Sequence, residues 1–432
     1  MQDRFLIESA KTERWQECLD KATNKDMNLK LIKELCYPSY RKQLYTIIAQ
    51  DKYNIFYSHV AKIPKDKKGE FRRVHINEDR DRILLSNWND CAFELFPDMI
   101  HPQCRSYLKS DSSQKVVKDI SKEIVKLSKE MPNKQIGYKI DFHDYFGSVN
   151  IEAIDNIFDE MERRLGFEKN TEPIINTLRR YYHQDMFFDE NGNICEEYQG
   201  LKQGCAFGSF LADVVLYELD DFLSKQYKIS YRYSDDLVVI DKDTSNVINE
   251  INEIISKYGV TLNPRKVEPL YADKFFKFLG FNIKGSMITL SATRVKKFQK
   301  EIEKRSIDRK KKNKKFTGRQ AKKEIVRFLY EGEYNWSSSC LGTINVEPDI
   351  QELNKFIMDC IKACDTGKLK IGGLGSVNNL PDRTILRGKG KNVKANRDKI
   401  EHIENYLSVD CLRKGLRICK PVFEAQVRSM KG

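Results

Sequence analysis

Among its 11 cysteines the 432-residue sequence holds no Cys-x-x-Cys pair, and an odd, scattered set supports neither a disulfide framework nor a zinc site. A reducing cytosol fits that usage, so the expected localisation is cytoplasmic. No run of about 18 apolar residues occurs. The opening Met1-Gln2-Asp3-Arg4 lacks an apolar h-region, so neither a membrane partner nor secretion is expected. No internal repeat is present. Acidic residues are in deficit: 76 Lys and Arg face 63 Asp and Glu, a net charge of +13 that favours a polyanionic partner, most often nucleic acid. At 40% apolar content the chain can bury a full core and form two or three subdomains. Cys360 and Cys364, one helical turn apart, read as core-facing thiols.

What is there centres on Tyr231-Arg232-Tyr233-Ser234-Asp235-Asp236-Leu237-Val238-Val239-Ile240. β-formers flank three short polar residues, the pattern of two strands meeting at a tight turn. An Asp-Asp pair by itself reads as an ordinary solvated hairpin turn, but adjacent carboxylates repel, and a divalent cation between them would neutralise the pair. A third acid ends another alternating strand, Gly137-Tyr138-Lys139-Ile140-Asp141. One strand-end acid plus a two-acid hairpin is the usual supply for a two-metal phosphoryl-transfer site.

Along the chain, amphipathic helices fill the first fifty residues, with a break at Tyr37-Pro38. A hairpin follows over 58–76 with a basic turn through Lys65, Lys67 and Lys68, then helices around Trp88 and from Val116 to Leu127. After the Asp141 strand, a helix closed by Gly166 and another from Pro173 to Tyr182 are expected. A Gly-rich stretch, Gly200 to Ser209, precedes a helix from about Phe210 to Leu223; its three glycines read as letting the backbone approach a flat or bulky ligand. Thr244 or Ser245 is the expected cap of a helix ending at Gly259, and a hairpin turns at Gly285-Ser286. Further on come a basic block from Lys304 to Lys323 and a helix from Asp349 to Cys364. The Gly-, Lys- and Arg-rich stretch 367–392 reads as an RNA-contacting loop or a disordered linker, the former favoured, and terminal helices follow from Arg397. The order of elements gives an α+β fold with antiparallel pairing at its centre.

Asp141 through Ser148, Gln203-Gly204 with Ser209, Tyr233-Ser234-Asp235-Asp236, Leu262-Asn263-Pro264 with Lys266, and Phe278-Leu279-Gly280-Phe281 resemble, in order and spacing, the successive palm motifs of reverse transcriptases. Ile63-Pro64-Lys65, Gly69, Arg72 and Asp81-Arg82-Ile83 resemble the fingers motifs of the bacterial branch. Two departures stand out. Lys202 stands where the family commonly has proline, and the glycine-rich fingers element is poorly recognisable around Arg105-Ser106-Tyr107. No RNase H, integrase or endonuclease region is recognisable, and the chain looks most similar to defence-associated (abortive-infection or unknown-group) and retron reverse transcriptases.

The resemblance implies a right-hand polymerase: a helical cap over 1–56, fingers over 57–135, a palm of antiparallel sheet plus helices over 136–290, and a helical, basic thumb and extension over 291–432. It implies RNA-directed DNA synthesis from dNTPs on a dedicated non-coding RNA during phage infection, yielding a DNA product. Asp141, Asp235, Asp236 and the Phe142 carbonyl would hold two Mg2+ ions, with Mn2+ a possible substitute, and Lys266 would protonate pyrophosphate. Lys65, Arg72 or Arg73, Phe146 as steric gate, Gln203 and Gly204 would bind the dNTP. Tyr233, Phe278, Leu279, Gly280, Lys310, Lys311, Lys312, Lys314 and Lys315 would contact primer and template. Alternatives are template-independent or protein-primed synthesis on the same palm, with tyrosines such as Tyr334 or Tyr406 as primers, and a non-catalytic RNA-binding scaffold.

Overall fold

A computed structural model describes residues 4–23, 29–64, 71–107, 113–131, 133–331 and 336–369. Lys65, Lys67, Lys68, Gly69, Tyr334, Tyr406, nearly all of 367–392 and the helices expected from Arg397 lie outside the described residues. The chain splits into two compact units, one of Met1–Leu108 with Gly137–Glu268, the other of Lys109–Ile136 with Pro269–Gly432.

Four helices open the chain: α1 (Arg4–Ala10), α2 (Thr12–Thr23), α3 (Leu29–Cys36) and α4 (Pro38–Ala49). The expected break at Tyr37-Pro38 is where α4 begins, with proline in its first turn, where a missing N–H costs nothing. Then come β1 (His59–Pro64), β2 (Phe71–Ile76), α5 (Asp79–Leu95), α6 (Ser113–Glu130), β3 (Gln135–His143), α7 (Tyr145–Ser148), α8 (Ile151–Leu165) and α9 (Pro173–Tyr182). Gly166 closes α8 at φ +80, as expected. After β4 (Met186–Phe188) and β5 (Ile194–Glu196), the helix expected from Phe210 to Leu223 is two helices, α10 (Gly208–Val214) and α11 (Tyr217–Gln226). Its interruption has a local cause. The carbonyls of Ala212 and Asp213, which would accept from the amides four residues on, accept instead from the Arg232 guanidinium at 3.0 and 2.7 Å. Tyr145 Oη donates to the Ala212 carbonyl as well, at 2.6 Å.

The first unit continues through β6 (Ile229–Tyr233), β7 (Asp236–Ile240), α12 (Val247–Ser256) and β8 (Thr261–Leu262). Neither Thr244 nor Ser245 caps α12. Asn246 is its N-cap without a side-chain bond, and the Asp243 carboxylate, a charged and stronger acceptor, takes the Ser245 amide at 3.0 Å. Two sheets result. One is antiparallel in the order β6-β7-β3-β8, and the other runs β2-β1-β4-β5. Their buried faces pack on helices through Trp88, Phe158, Phe207, Phe210, Ile140 and Val239, all fully buried. Each such side chain contributes roughly 1.5–3 kcal/mol on leaving water.

In the second unit β9 (Glu268–Tyr271) leads to β10 (Phe276–Phe278), β11 (Phe281–Lys284) and β12 (Met287–Leu290), the last two forming the hairpin expected at Gly285-Ser286. Helices α13 (Ala292–Arg305), α14 (Ile307–Lys312), α15 (Gly318–Tyr330), α16 (Trp336–Cys340) and α17 (Glu347–Thr366) follow. Cys360 and Cys364 are fully buried on α17, as their spacing suggests. The α+β class and its antiparallel sheets are those expected. Among the described residues no helix is long and apolar enough to cross a membrane.

Candidate active site

The three acids come together through strand register. Asp141 on β3 lies directly opposite Asp236 on β7, and Asp236 is also paired with Tyr233 across the β6–β7 hairpin. Directly opposed residues of an antiparallel pair put their side chains on one face, about 4.5–5.5 Å apart at Cα. Ser234 and Asp235 form the two-residue turn, with Ser234 at φ +56, as a tight hairpin requires. Like charges opposed in this way repel. Burial, together with the charges of Asp235 and Asp141, pushes the Asp236 carboxyl up to about 6 against the pull of Lys139, whose Nζ lies 3.9 Å away. Burial and Asp141 raise Asp235 also, while Lys266 and Arg72 act against the rise.

Lys266 sits in a single 3-10 turn, Pro264–Lys266, capped by the Asn263 side chain. The Asn263 amide donates to the Asp141 carbonyl at 2.9 Å, which anchors the turn beside the acid. From there the Lys266 ammonium lies 2.8 Å from both Asp141 carboxylate oxygens. Among the described residues no three His, Cys, Asp or Glu side chains are arranged to hold a metal ion as they stand. The donor chemistry nevertheless suits a hard divalent cation: three carboxylate groups on one edge, two of them raised by burial and by the charge of Asp141. Phe142 adds a backbone oxygen. Its amide donates to the Asp235 carbonyl at 3.3 Å, and in an extended strand the carbonyl of the same residue points to the same side.

The other candidates divide. Arg72 and Arg73 alternate on β2; Arg73 pairs with Glu197 at 2.6 Å, whereas Arg72 is the one whose charge reaches Asp235. Phe146, half-buried in α7, packs edge-on to Tyr145, and its carbonyl accepts from the Leu201 amide at 2.6 Å. The Gln203 carbonyl accepts from the His75 amide at 2.6 Å. A Cβ on Gly204 would lie 2.6 Å from the His75 carbonyl, one on Gly200 2.3 Å from the Phe146 carbonyl, and one on Gly208 2.6 Å from the Leu201 carbonyl. The close approach that these glycines permit is to the protein's own backbone.

Lys202 explains its own departure from the family pattern. It stands at φ +51, which a proline ring forbids. Its buried ammonium donates to the Gln184 carbonyl at 2.5 Å over the Tyr181 ring, and burial lowers it to about 8. Tyr233 faces Tyr107, with ring centroids 6.5 Å apart.

In the second unit Phe278 is buried, with Leu279 and Gly280 at φ +48 and +78 after it. Lys310 donates to the Lys314 and Phe316 carbonyls at 2.7 and 2.8 Å, so it ties down its own loop. Lys311 pairs with Asp308 at 2.9 Å, and Lys312, Lys314 and Lys315 are exposed.

Sequence reasoning missed the groups beneath the acids. Ser106, Asp213, Asp220 and Arg232 are buried together under the Ser234 turn. The available signal was Asp213 itself, a carboxylate inside the apolar run Phe210 to Leu216.

Among curated proteins none matches the chain. Similar solved structures include telomerase from Candida albicans in complex with a TWJ fragment of telomeric RNA, at 12% identity, 93% of this chain, 66% of that one and a TM-score of 0.44. Apo telomerase from Candida tropicalis matches at 14% identity over 87% and 66%, TM-score 0.43. A form of the latter truncated from the C-terminal domain matches at 16% over 57% and 58%, TM-score 0.37. The chain thus spans 58–66% of the length of these structures. The family model for "Reverse transcriptase (RNA-dependent DNA polymerase)" matches residues 63–283, just over half of the chain and the whole of the three-acid site. By that match the chain belongs to the reverse transcriptase family.

Proposed function

We propose that this chain is an RNA-directed DNA polymerase that adds dNTPs to a primer 3′-hydroxyl at Asp141, Asp235 and Asp236. The observation that carries the reading is the register of Asp141 opposite Asp236, with Asp235 in the adjoining turn, inside the segment that matches the family. These carboxylates and the Phe142 carbonyl would hold two Mg2+ ions. When bound, such ions lower the pKa of the attacking hydroxyl and offset the charge of the triphosphate.

The chain's own residues supply the rest. Arg72, whose charge reaches Asp235, would bind the triphosphate through a guanidinium suited to phosphate oxygens. Phe146 would lie beneath the sugar and exclude a 2′-hydroxyl by bulk. Gln203, held by its carbonyl to β2, would face the nascent base pair. For Asp141 to bind a cation, Lys266 must give up its carboxylate partner, and its ammonium is then free to turn to the departing pyrophosphate and protonate it. In the second unit the exposed Lys312, Lys314 and Lys315 would bind template phosphates, and Phe278-Leu279-Gly280 would support the primer. The resemblance to defence-associated and retron enzymes supports a dedicated non-coding RNA as template and a cytoplasmic role against phage.

The test supplies purified protein with Mg2+, labelled dNTPs and its co-purifying RNA, beside Asp235→Asn. Labelled DNA that requires the RNA and vanishes with the asparagine variant is the expected result. Product that survives RNase or stays attached to protein would shift the reading to template-independent or protein-primed synthesis, and no product from the wild type would leave an RNA-binding scaffold. Sequencing the co-purifying RNA identifies the template, and plaque counts on cells carrying each form test the defence role.

A further inference from the structure

The turn that carries Asp235 is gripped by buried side chains on its inner side. The Ser234 amide donates to Ser106 Oγ at 2.9 Å, and the single hydroxyl proton of Ser106 goes to Asp213 Oδ1 at 2.5 Å. Ser106 and Asp213 are both fully buried, and Cys104 Sγ lies 3.3 Å from the same hydroxyl. On the other side of the turn, Arg232 reaches the Ser234 carbonyl at 3.4 Å. That guanidinium, fully buried, is itself fixed by Asp220, at 2.6 Å from Nη2 and 2.9 Å from Nε, and by the carbonyls of Ala212 and Asp213.

Two features are hard to explain by stability alone. Asp213 Oδ2 is buried with no hydrogen-bond partner among the described residues, and burial raises the Asp213 carboxyl to about 7. A carboxyl left half-satisfied in an apolar helix is unfavourable, and a leucine there would pack at no such cost. Ser234 meanwhile stands in the left-handed region at φ +56, where a residue with a side chain stays only if its surroundings over-determine it. What the buried acid does is orient the one hydroxyl that accepts from that residue's amide.

We propose that Ser106 and Asp213 are positioning residues that hold the Ser234–Asp235 turn so that the Asp235 carboxylate meets a divalent cation in line with Asp141 and Asp236. The inference rests on the polymerase reading for its kinetic arm only. Asp213 acts through Ser106, Ser106 acts through the Ser234 amide, and neither touches substrate.

The test measures Mn2+ binding to the free protein by electron paramagnetic resonance, and separately kcat and KM for a dNTP, in Ser106→Ala, Ser106→Thr and Asp213→Asn. Ser106→Ala should weaken Mn2+ binding about tenfold and lower kcat about a hundredfold, with KM for the dNTP held within about twofold. Ser106→Thr, which keeps the hydroxyl, should restore both. Asp213→Asn, which keeps the shape and offers a weaker acceptor, should fall between them, and it decides the matter should Ser106→Ala fail to fold. Wild-type Mn2+ affinity in Ser106→Ala or Asp213→Asn overturns the proposal, whatever happens to kcat, because the side chains would then be merely structural. If the wild type makes no DNA at all, the polymerase reading fails, and the Mn2+ measurement still decides this one.

Discussion

Gly204→Ala tests how the Gln203 loop and the β2 hairpin hold each other. At φ +105 an alanine is strained by about 1–3 kcal/mol. Its Cβ would also sit 2.6 Å from the His75 carbonyl and 2.7 Å from Val74 Cγ1. The first of these is backbone and cannot rotate away, so overpacking adds about 1–3 kcal/mol. A total near 4 kcal/mol is expected. Gly166→Ala is the internal control, because its φ of +80 carries the left-handed strain while none of the described residues lies within 4 Å of the new Cβ. It should cost only about 1–2 kcal/mol. Urea unfolding followed by tryptophan fluorescence, to which Trp15 and Trp88 of this unit contribute, gives both values from the shift in midpoint at constant slope. The variant should also raise KM for dNTPs, because the strand pushed aside carries Arg72. Equal losses at the two positions would refute the reasoning, since the contact with β2 would then contribute nothing.

Lys202→Pro, the residue the family pattern favours, should cost about 3 kcal/mol or more in the same assay, because the ring cannot adopt φ +51 and the hydrogen bond that the Lys202 amide donates to the Gln199 carbonyl is lost. Phe146→Ala should raise incorporation of ribonucleotides about a hundredfold relative to dNTPs, read from competing kcat/KM values. Burial lowers His75 from 6.5 to about 4, so the folded state holds the neutral ring. The unfolded chain takes up that proton first. Stability from this group is therefore complete above pH 6.5 and is lost as pH falls towards 4, by up to about 3 kcal/mol. Denaturation of His75→Gln should show a correspondingly shallower decline than the wild type over that window.

The hairpin of Tyr233 and Asp236 was legible because alternation on both sides of a short polar turn is a local signal, and the Asp141 strand was legible for the same reason. That Asp141 lies opposite Asp236 was not, because register is fixed by the face each strand buries and not by either strand alone. Arg72, the motif's first choice over Arg73, is also the one whose charge reaches Asp235: alternation puts the two on opposite faces, and Arg73 pairs with Glu197, on a distant stretch of chain. The helix expected from Phe210 to Leu223 had the right apolar face but not its interruption, since the guanidinium that takes its carbonyls comes from β6. The three glycines do mark close approach, and the protein's own backbone lies against each of them. A glycine announces close approach without saying to what.

The second unit is assembled from two separated pieces of chain, and this bears on its biosynthesis. Helix α6 buries Val116, Val117, Ile120, Ile124 and Leu127, and Ser121 donates to the Gly285 carbonyl at 2.6 Å, so its partners lie beyond residue 268. A ribosome moving at about 5–20 residues per second leaves that greasy stripe without its permanent cover for roughly 8–30 s. During that interval the nascent polypeptide carries a ready target for a holding chaperone, and a pause in translation between the two pieces would lengthen the exposure.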